Sequence, residues 1–445
     1  MSASQPAPEA APEPESEPDP IEVLTDRRFV GVLVLAAIVG VVASVIAWGF
    51  LVLVHEVQHW VFADIPDVLG YDHTPLWFYL PVLALAGVVT ALAITRLPGR
   101  GGHVPAHGLD PEPTHPGALP GVALAALASI GLGIVLGPEA PLIAIGGGLG
   151  YLAVRLLRRD APEELGSLIA ASGTFAAVSF LFGSPLVAAV ILIEASGVGP
   201  RRMPVVLIPG LLAAGIGSLV SIGLGSWTGV DRADISFDQL PLPEFARPDF
   251  ADFLWTVPLA AAVAIGAIAI FELARRAEPL TARRPLLVLP AFGLFIAALA
   301  IAFAGATDKG ADQILFSGQE QIGPLISGAE DWSLGALALV IVLKGLAYSV
   351  SLAGFRGGPV FPALFIGAAA GLMAAQLPGF EATPAVAVCL GAAIAAVLRL
   401  PLSGVVLATV LTAHTGLGVT PLIIVGVVVA YLVSIRLKRP AAAAA

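Results

Sequence analysis

The chain has 445 residues, 57% of them hydrophobic and only 12% charged, with a mean hydropathy of +0.92, whereas a soluble globular protein carries about 25% charged residues. That composition excludes an ordinary soluble domain, and apolar runs that are continuous instead of alternating exclude a transmembrane β-barrel. A formal net charge of -10 without a basic cluster argues against nucleic-acid partners, and the one cysteine, Cys389, within an apolar run allows neither an intrachain disulfide nor a cysteine-based metal site.

Residues 1–25 are rich in Pro, Ala and Glu, lack apolar periodicity and read as a disordered acidic tail. No basic n-region precedes the first apolar run, about Phe29 to Val54, so that run reads as a retained anchor rather than a cleaved signal. Further apolar segments fall near 76–96, 117–136, 140–157, 164–182, 185–196, 203–224, 252–274, 285–305, 333–353, 360–377, 383–398, 401–413 and 418–435. At roughly 20 residues per crossing this makes about ten or more crossings or half-crossings, an all-α polytopic membrane protein. The short segments 140–157, 185–196, 360–377 and 401–413 are bounded by Gly and Pro and read as helices that begin or end inside the bilayer. Non-helical backbone at that depth survives only where protein or a water-filled path surrounds it, so broken helices point to transport.

Arginine-rich loops at Arg27–Arg28, Arg155–Arg159, Arg201–Arg202, Arg275–Arg284 and Arg436–Arg439 mark the cytoplasmic side. Acidic loops, with Asp64, Asp67 and Asp72, then Asp231 to Asp249, then Asp308 to Asp331, face outside. Both termini come out cytoplasmic. The expected layout is a tail at 1–25, a transmembrane domain at 26–437, a frayed end at 438–445 and no appended soluble domain.

Three Gly/Pro-rich interruptions carry the candidate chemistry: Gly99 to Gly108, Gly133 to Gly146, and Gly354 to Pro362. Each places glycines ahead of an expected helix start. A helix N-terminus has unpaired N–H groups and about half a positive charge, so several converging at membrane depth bind an anion without a full cation. A full Lys or Arg charge would hold chloride too tightly for release, whereas partial charges leave it mobile. The competing reading is that the glycines only allow close helix packing.

Glu139 is the one carboxylate in an otherwise uncharged run, and an intramembrane carboxylate is costly unless it has a function. At an electropositive helix start it is an anion on a tether: charged, it occupies the anion path, and protonated, it swings away. A plain backbone cap is the alternative. Glu194 ends an apolar segment near Arg201 and Arg202, and pairing with those arginines competes with a place on a proton path. His103 and His107 are spaced to share a helix face, but no acidic or cysteine partner stands at ligand spacing, which argues against metal. For Lys344 and Arg399 two readings stay open, raising the local potential or snorkelling to an interface.

The three interruptions, in this order, resemble the CLC family of chloride channels and chloride/proton antiporters, over nearly the whole stretch from Phe29 to about Tyr431. Gly137-Pro138-Glu139-Ala140-Pro141 resembles the family's G(K/R)EGP signature. Phe182-Gly183-Ser184-Pro185-Leu186 leading to Glu194 is similar to its FNAPLAG segment, and Arg399-Leu400-Pro401-Leu402-Ser403-Gly404 to its R-x-PLTG turn. The resemblance implies a bacterial-type member with broken and re-entrant helices in two inverted halves, about 29–224 and 252–435. It also implies a homodimer with one anion path per subunit, and Glu139 as the external gating glutamate.

Where the family has GSGIP, this chain has Gly101-Gly102-His103-Val104-Pro105, so the serine that usually touches the central anion is Gly102. Where the family offers two amides in GxFxP, the chain has Pro359 and Val360, and proline has no N–H. The family's pore tyrosine has no counterpart at Tyr431, and the antiporters' internal glutamate is Ala195.

The expected anion ligands are Gly101, Gly102, His103, Val104, Pro105, Gly137, Pro138, Ala140, Gly358, Pro359, Val360 and Phe361, with Glu139 gating and Glu194 as a possible proton-path residue. The expected function is chloride transport without cofactor or metal, passing anions passively as a channel or uncoupled conductor in a bacterial inner membrane, in contact with lipid. The alternatives are a chloride/proton antiporter that uses another proton route and, more distantly, an intramembrane metal-dependent enzyme built on Glu139, His103 and His107.

Overall fold

The computed structural model describes residues 20–110, 113–228 and 239–437. Its helices are α1 (Arg27–His59), α2 (Tyr79–Arg96), α3 (Leu119–Gly131), α4 (Glu139–Leu157), α5 (Glu163–Phe182), α6 (Pro185–Ser196), α7 (Met203–Thr228) and α8 (Phe250–Arg283). There follow α9 (Pro285–Ala306), α10 (Gln319–Ser327), α11 (Leu334–Leu352), α12 (Val360–Ala374), α13 (Ala382–Leu398), α14 (Pro401–Leu411) and α15 (Thr420–Leu437). Among the described residues nine helical stretches are long and apolar enough to cross a membrane, and the protein is an integral membrane protein. The helices ending at 131, 196, 374, 398 and 411 are shorter. At 19 residues α4 belongs with the long helices, a correction to the reading of 140–157 as too short. Pro20–Thr25, read as part of the tail, forms a short helix, while residues 1–19 and 438–445 lie outside the described residues.

Local chemistry sets the boundaries. Ser184 caps α6 through Val187 N–H, Pro185 takes its first turn, and Gly197 closes it in the left-handed region at φ 60°. Asp249 and Asp252 form a reciprocal capping box at the start of α8, and Ser333 caps α11 through Ala336 N–H.

Helix pairs pack at backbone distance. A Cβ on Gly173 of α5 would stand 2.1 Å from the carbonyl oxygen of Gly146 on α4, and one on Gly293 of α9 would stand 2.0 Å from that of Leu83 on α2. Between helices lipid gives no hydrophobic drive, so such small-residue contacts supply the association. At the centre α12 and α13 are buried on nearly every side, while Val30, Val34 and Ile38 of α1 and Leu254, Val257 and Ile265 of α8 lie exposed, as lipid-facing apolar residues do.

Candidate anion-transport site

Two interruptions meet at the middle of the molecule. Gly137 N–H donates to the Gly358 carbonyl at 2.8 Å and Gly358 N–H donates to the Gly137 carbonyl at 2.6 Å, an isolated antiparallel bridge immediately before the first turns of α4 and α12. Pro138 and Pro359 precede those first turns and complete them without needing an N–H. The bridge therefore points two helix N-termini into one place.

Glu139 fills that place. Its side chain is only 1% exposed, and its Oε1 accepts a short hydrogen bond from Val360 N–H. The amides of Phe361 and of Glu139 itself also act on the carboxylate, while Oε2 has no hydrogen-bond partner among the described residues. A Cβ on Gly358 would fall 2.0 Å from Glu139 Cδ, and one on Gly137 would fall 2.1 Å from Oε2, so both glycines leave the room the carboxylate occupies. Phe361 stacks on Phe182, with ring centroids 5.6 Å apart. These amides, with the helix-end partial charges, form a compact anion cradle without a full cation.

Tyr348, 1% exposed on α11, donates its hydroxyl to the Pro359 carbonyl at 2.6 Å and thereby fixes the start of α12; it lies near enough to Glu139 to act on its charge. The sequence reading missed it. A lone tyrosine in an apolar segment, eleven residues ahead of a proline-flanked helix start, was the available signal.

The first interruption is arranged differently. It opens no α-helix but two short turns, Pro98–Gly101 and Pro105–His107, which corrects the expectation of a helix start there. Gly99, Gly101 and Gly102 all have positive φ, a conformation open to glycine at little cost. A Cβ on Gly102 would meet Val122 at 3.1 Å and one on Gly101 would meet Ala125 at 2.9 Å. His107 N–H and Gly108 N–H close the turn on the Val104 and Pro105 carbonyls. The turn joins the third interruption through Arg356, whose Nη2 donates to the Arg100 carbonyl at 3.2 Å and whose backbone N–H ties it to α3 by donating to Ser129 Oγ at 3.1 Å.

His103 and His107 share no helix face; their rings meet edge to face with centroids 6.0 Å apart. Acidic neighbours do stand beside them, Asp110 at 3.4 Å from His103 and Glu278 at 2.8 Å from His107. Burial, and after it the positive charges of His107 and Arg356, hold His103 below the usual histidine pKa, against the opposing pull of Asp110. No group of three or more His, Cys, Asp or Glu side chains able to hold a metal occurs among the described residues.

Glu194 does not pair with Arg201 or Arg202. Its carboxylate accepts from Leu402 N–H at 2.9 Å, Ser403 N–H at 2.7 Å and Ser403 Oγ at 2.6 Å, which satisfies the first turn of α14. Lys344 is fully buried and donates to the Gln313 and Leu315 carbonyls at 3.0 and 2.9 Å, which removes the snorkelling reading for it. Arg399 ends α13 at φ 59°, in the left-handed region.

The family model described as "Voltage gated chloride channel" matches residues 104–435. The chain belongs to the CLC family. A protein named "Putative ion-transport protein YfeO" in Escherichia coli O1:K1 / APEC is 31% identical over 346 residues, covering 76% of this chain and 77% of the relative. The protein of the same name in Shigella boydii serotype 4 (strain Sb227) matches equally. The fold is that of a slow cyanobacterial Cl-/H+ antiporter, with a TM-score of 0.74 at 19% identity and coverage of 92% and 95% of the two chains. It is also that of a CLC-type fluoride/proton antiporter, with a TM-score of 0.64 at 18% identity and coverage of 91% and 95%. The expected CLC fold and the assignment to anion transport across a membrane therefore hold for this chain.

Proposed function

We propose that this CLC protein passes chloride and related anions passively past Glu139, whose carboxylate blocks the path when charged and leaves it when protonated. The observation that carries the reading is the Glu139 carboxylate lodged between Gly137 and Gly358 on the Val360 amide, where a permeating halide would make the same hydrogen bonds. The remaining proposed ligands are Pro138, Ala140, Pro359 and Phe361 around that cradle, with Gly101 to Pro105 further along the path. Passive transport is favoured because Glu194, the candidate proton-path residue, is engaged by α14, and Ala195 beside it cannot titrate. The layout in two inverted halves, the homodimer, the inner-membrane location and the cytoplasmic termini belong to the same proposal, as does the absence of enzymatic and metal chemistry.

A second reading, coupled chloride/proton exchange, draws support from the two solved proteins that share the fold, a Cl-/H+ antiporter and a fluoride/proton antiporter. Purified protein in liposomes under a chloride gradient separates the two. Passive transport predicts chloride flux that leaves external pH still once voltage is clamped, and proton movement in a fixed ratio to chloride overturns it.

A further inference from the structure

Arg356 lies in the turn between α11 and α12, two residues before Gly358, and is only 7% exposed. Its Nη1 donates to the carbonyls of Gly354 at 2.7 Å and Phe355 at 3.2 Å, and its Nη2 to that of Arg100. Its buried Nε has no hydrogen-bond partner, and no carboxylate stands within ion-pair distance of it among the described residues. The guanidinium thus has dipoles around it and no direct ion pair, the Glu278 carboxylate acting on it only from beyond hydrogen-bond reach. A buried cation left so is expensive, because carbonyls cannot neutralise it and every free N–H has lost its water. The Gly99–Gly102 turn crosses directly over its stem, with a Cβ on Gly101 falling 3.4 Å from Arg356 Cγ. In that turn Gly102 offers no hydroxyl to an anion, so the turn's own side chains supply little there.

We infer that Arg356 is an anion-binding residue, whose Nε–H holds a halide-sized monovalent anion beside the Gly99–Gly102 turn, on the α2 side of the Glu139 cradle. The inference rests on the reading that anions pass Glu139, and adds a second station on that path. The ligand class follows from the donors: the Gly354, Phe355 and Arg100 carbonyls take three of the five guanidinium N–H groups, which leaves Nε–H and one Nη2–H to meet a small monovalent anion. A full charge holds an anion longer than helix-end dipoles do, and the surrounding carbonyls and the Glu278 charge offset enough of it that the anion can leave, so this station is the tighter of the two without being a trap.

The test uses the full chain with Glu139→Gln, which removes the competing carboxylate, with and without Arg356→Gln. Chloride binding is read by calorimetry on monodisperse protein. The expected result is affinity about ten- to hundredfold weaker on loss of Arg356, as for a charged hydrogen bond. Unchanged affinity overturns the inference. If Arg356→Gln fails to fold, bromide-soaked crystals of the Glu139→Gln protein decide: an anomalous peak against Arg356 Nε supports the assignment, and its absence there overturns it. Chloride flux by Glu139→Gln alone keeps the two claims apart, since loss of all flux strikes the Glu139 reading, whereas intact flux with unchanged affinity strikes only the Arg356 station.

Discussion

Gly137 and Gly358 exchange both backbone hydrogen bonds across the centre of the protein, and Glu139 lies in the space their missing side chains leave. The bridge couples the first turns of α4 and α12, so the position of the carboxylate is fixed by backbone that belongs to two distant parts of the chain.

Glu139→Gln keeps the shape and removes the charge. In the wild type a charged carboxylate competes with the anion, so flux falls as pH rises; in the variant flux is expected to be nearly independent of pH and several-fold higher at alkaline pH. Chloride efflux from liposomes between about pH 5 and 9 checks this, and a wild-type-like slope in the variant would show that Glu139 is not the gate.

Gly358→Ala puts a methyl where Glu139 Cδ stands, and the obstacle is a flexible side chain, which can move. The expected outcome is a folded protein whose flux resembles that of Glu139→Gln. Gly293→Ala, by contrast, drives its methyl into the Leu83 carbonyl, which cannot yield without parting α2 from α9. Size-exclusion profiles in detergent should show loss of monodisperse protein for Gly293→Ala and little change for Gly358→Ala.

Glu194→Ala strips the first turn of α14 of a carboxylate acceptor that three donors share. A loss of about 1–2 kcal/mol is expected, as for a removed helix cap, read as a lower thermal midpoint. Ser403→Ala, which removes one of those three bonds, should give a smaller drop.

His103 has a folded pKa held below its unfolded value, chiefly by burial. Between those two values the unfolded chain binds more protons than the folded one, so stability falls as pH drops through the usual histidine range near 6.5 and recovers above it. Thermal midpoints between about pH 5 and 7.5 should therefore vary less in His103→Gln than in the wild type.

Much of this protein was decided by its sequence. Long uncharged runs force helices across a bilayer, because lipid satisfies no backbone polar group, and glycine and proline ahead of Glu139 and Val360 mark where two of those helices start. The lone carboxylate in such a run marks the residue proposed as the gate.

Only the tertiary structure decided what these starts face. That Gly137 meets Gly358, that Glu194 serves α14 instead of Arg201 and Arg202, and that the Gly99–Gly102 turn packs over Arg356 are contacts between residues far apart in the chain. Hydropathy and spacing describe one helix at a time, so they carry no information on such pairings. Arg356 was in plain view within the third interruption, yet a sequence cannot say whether an arginine reaches water or lies buried among carbonyls, and that difference is what makes it a candidate anion site.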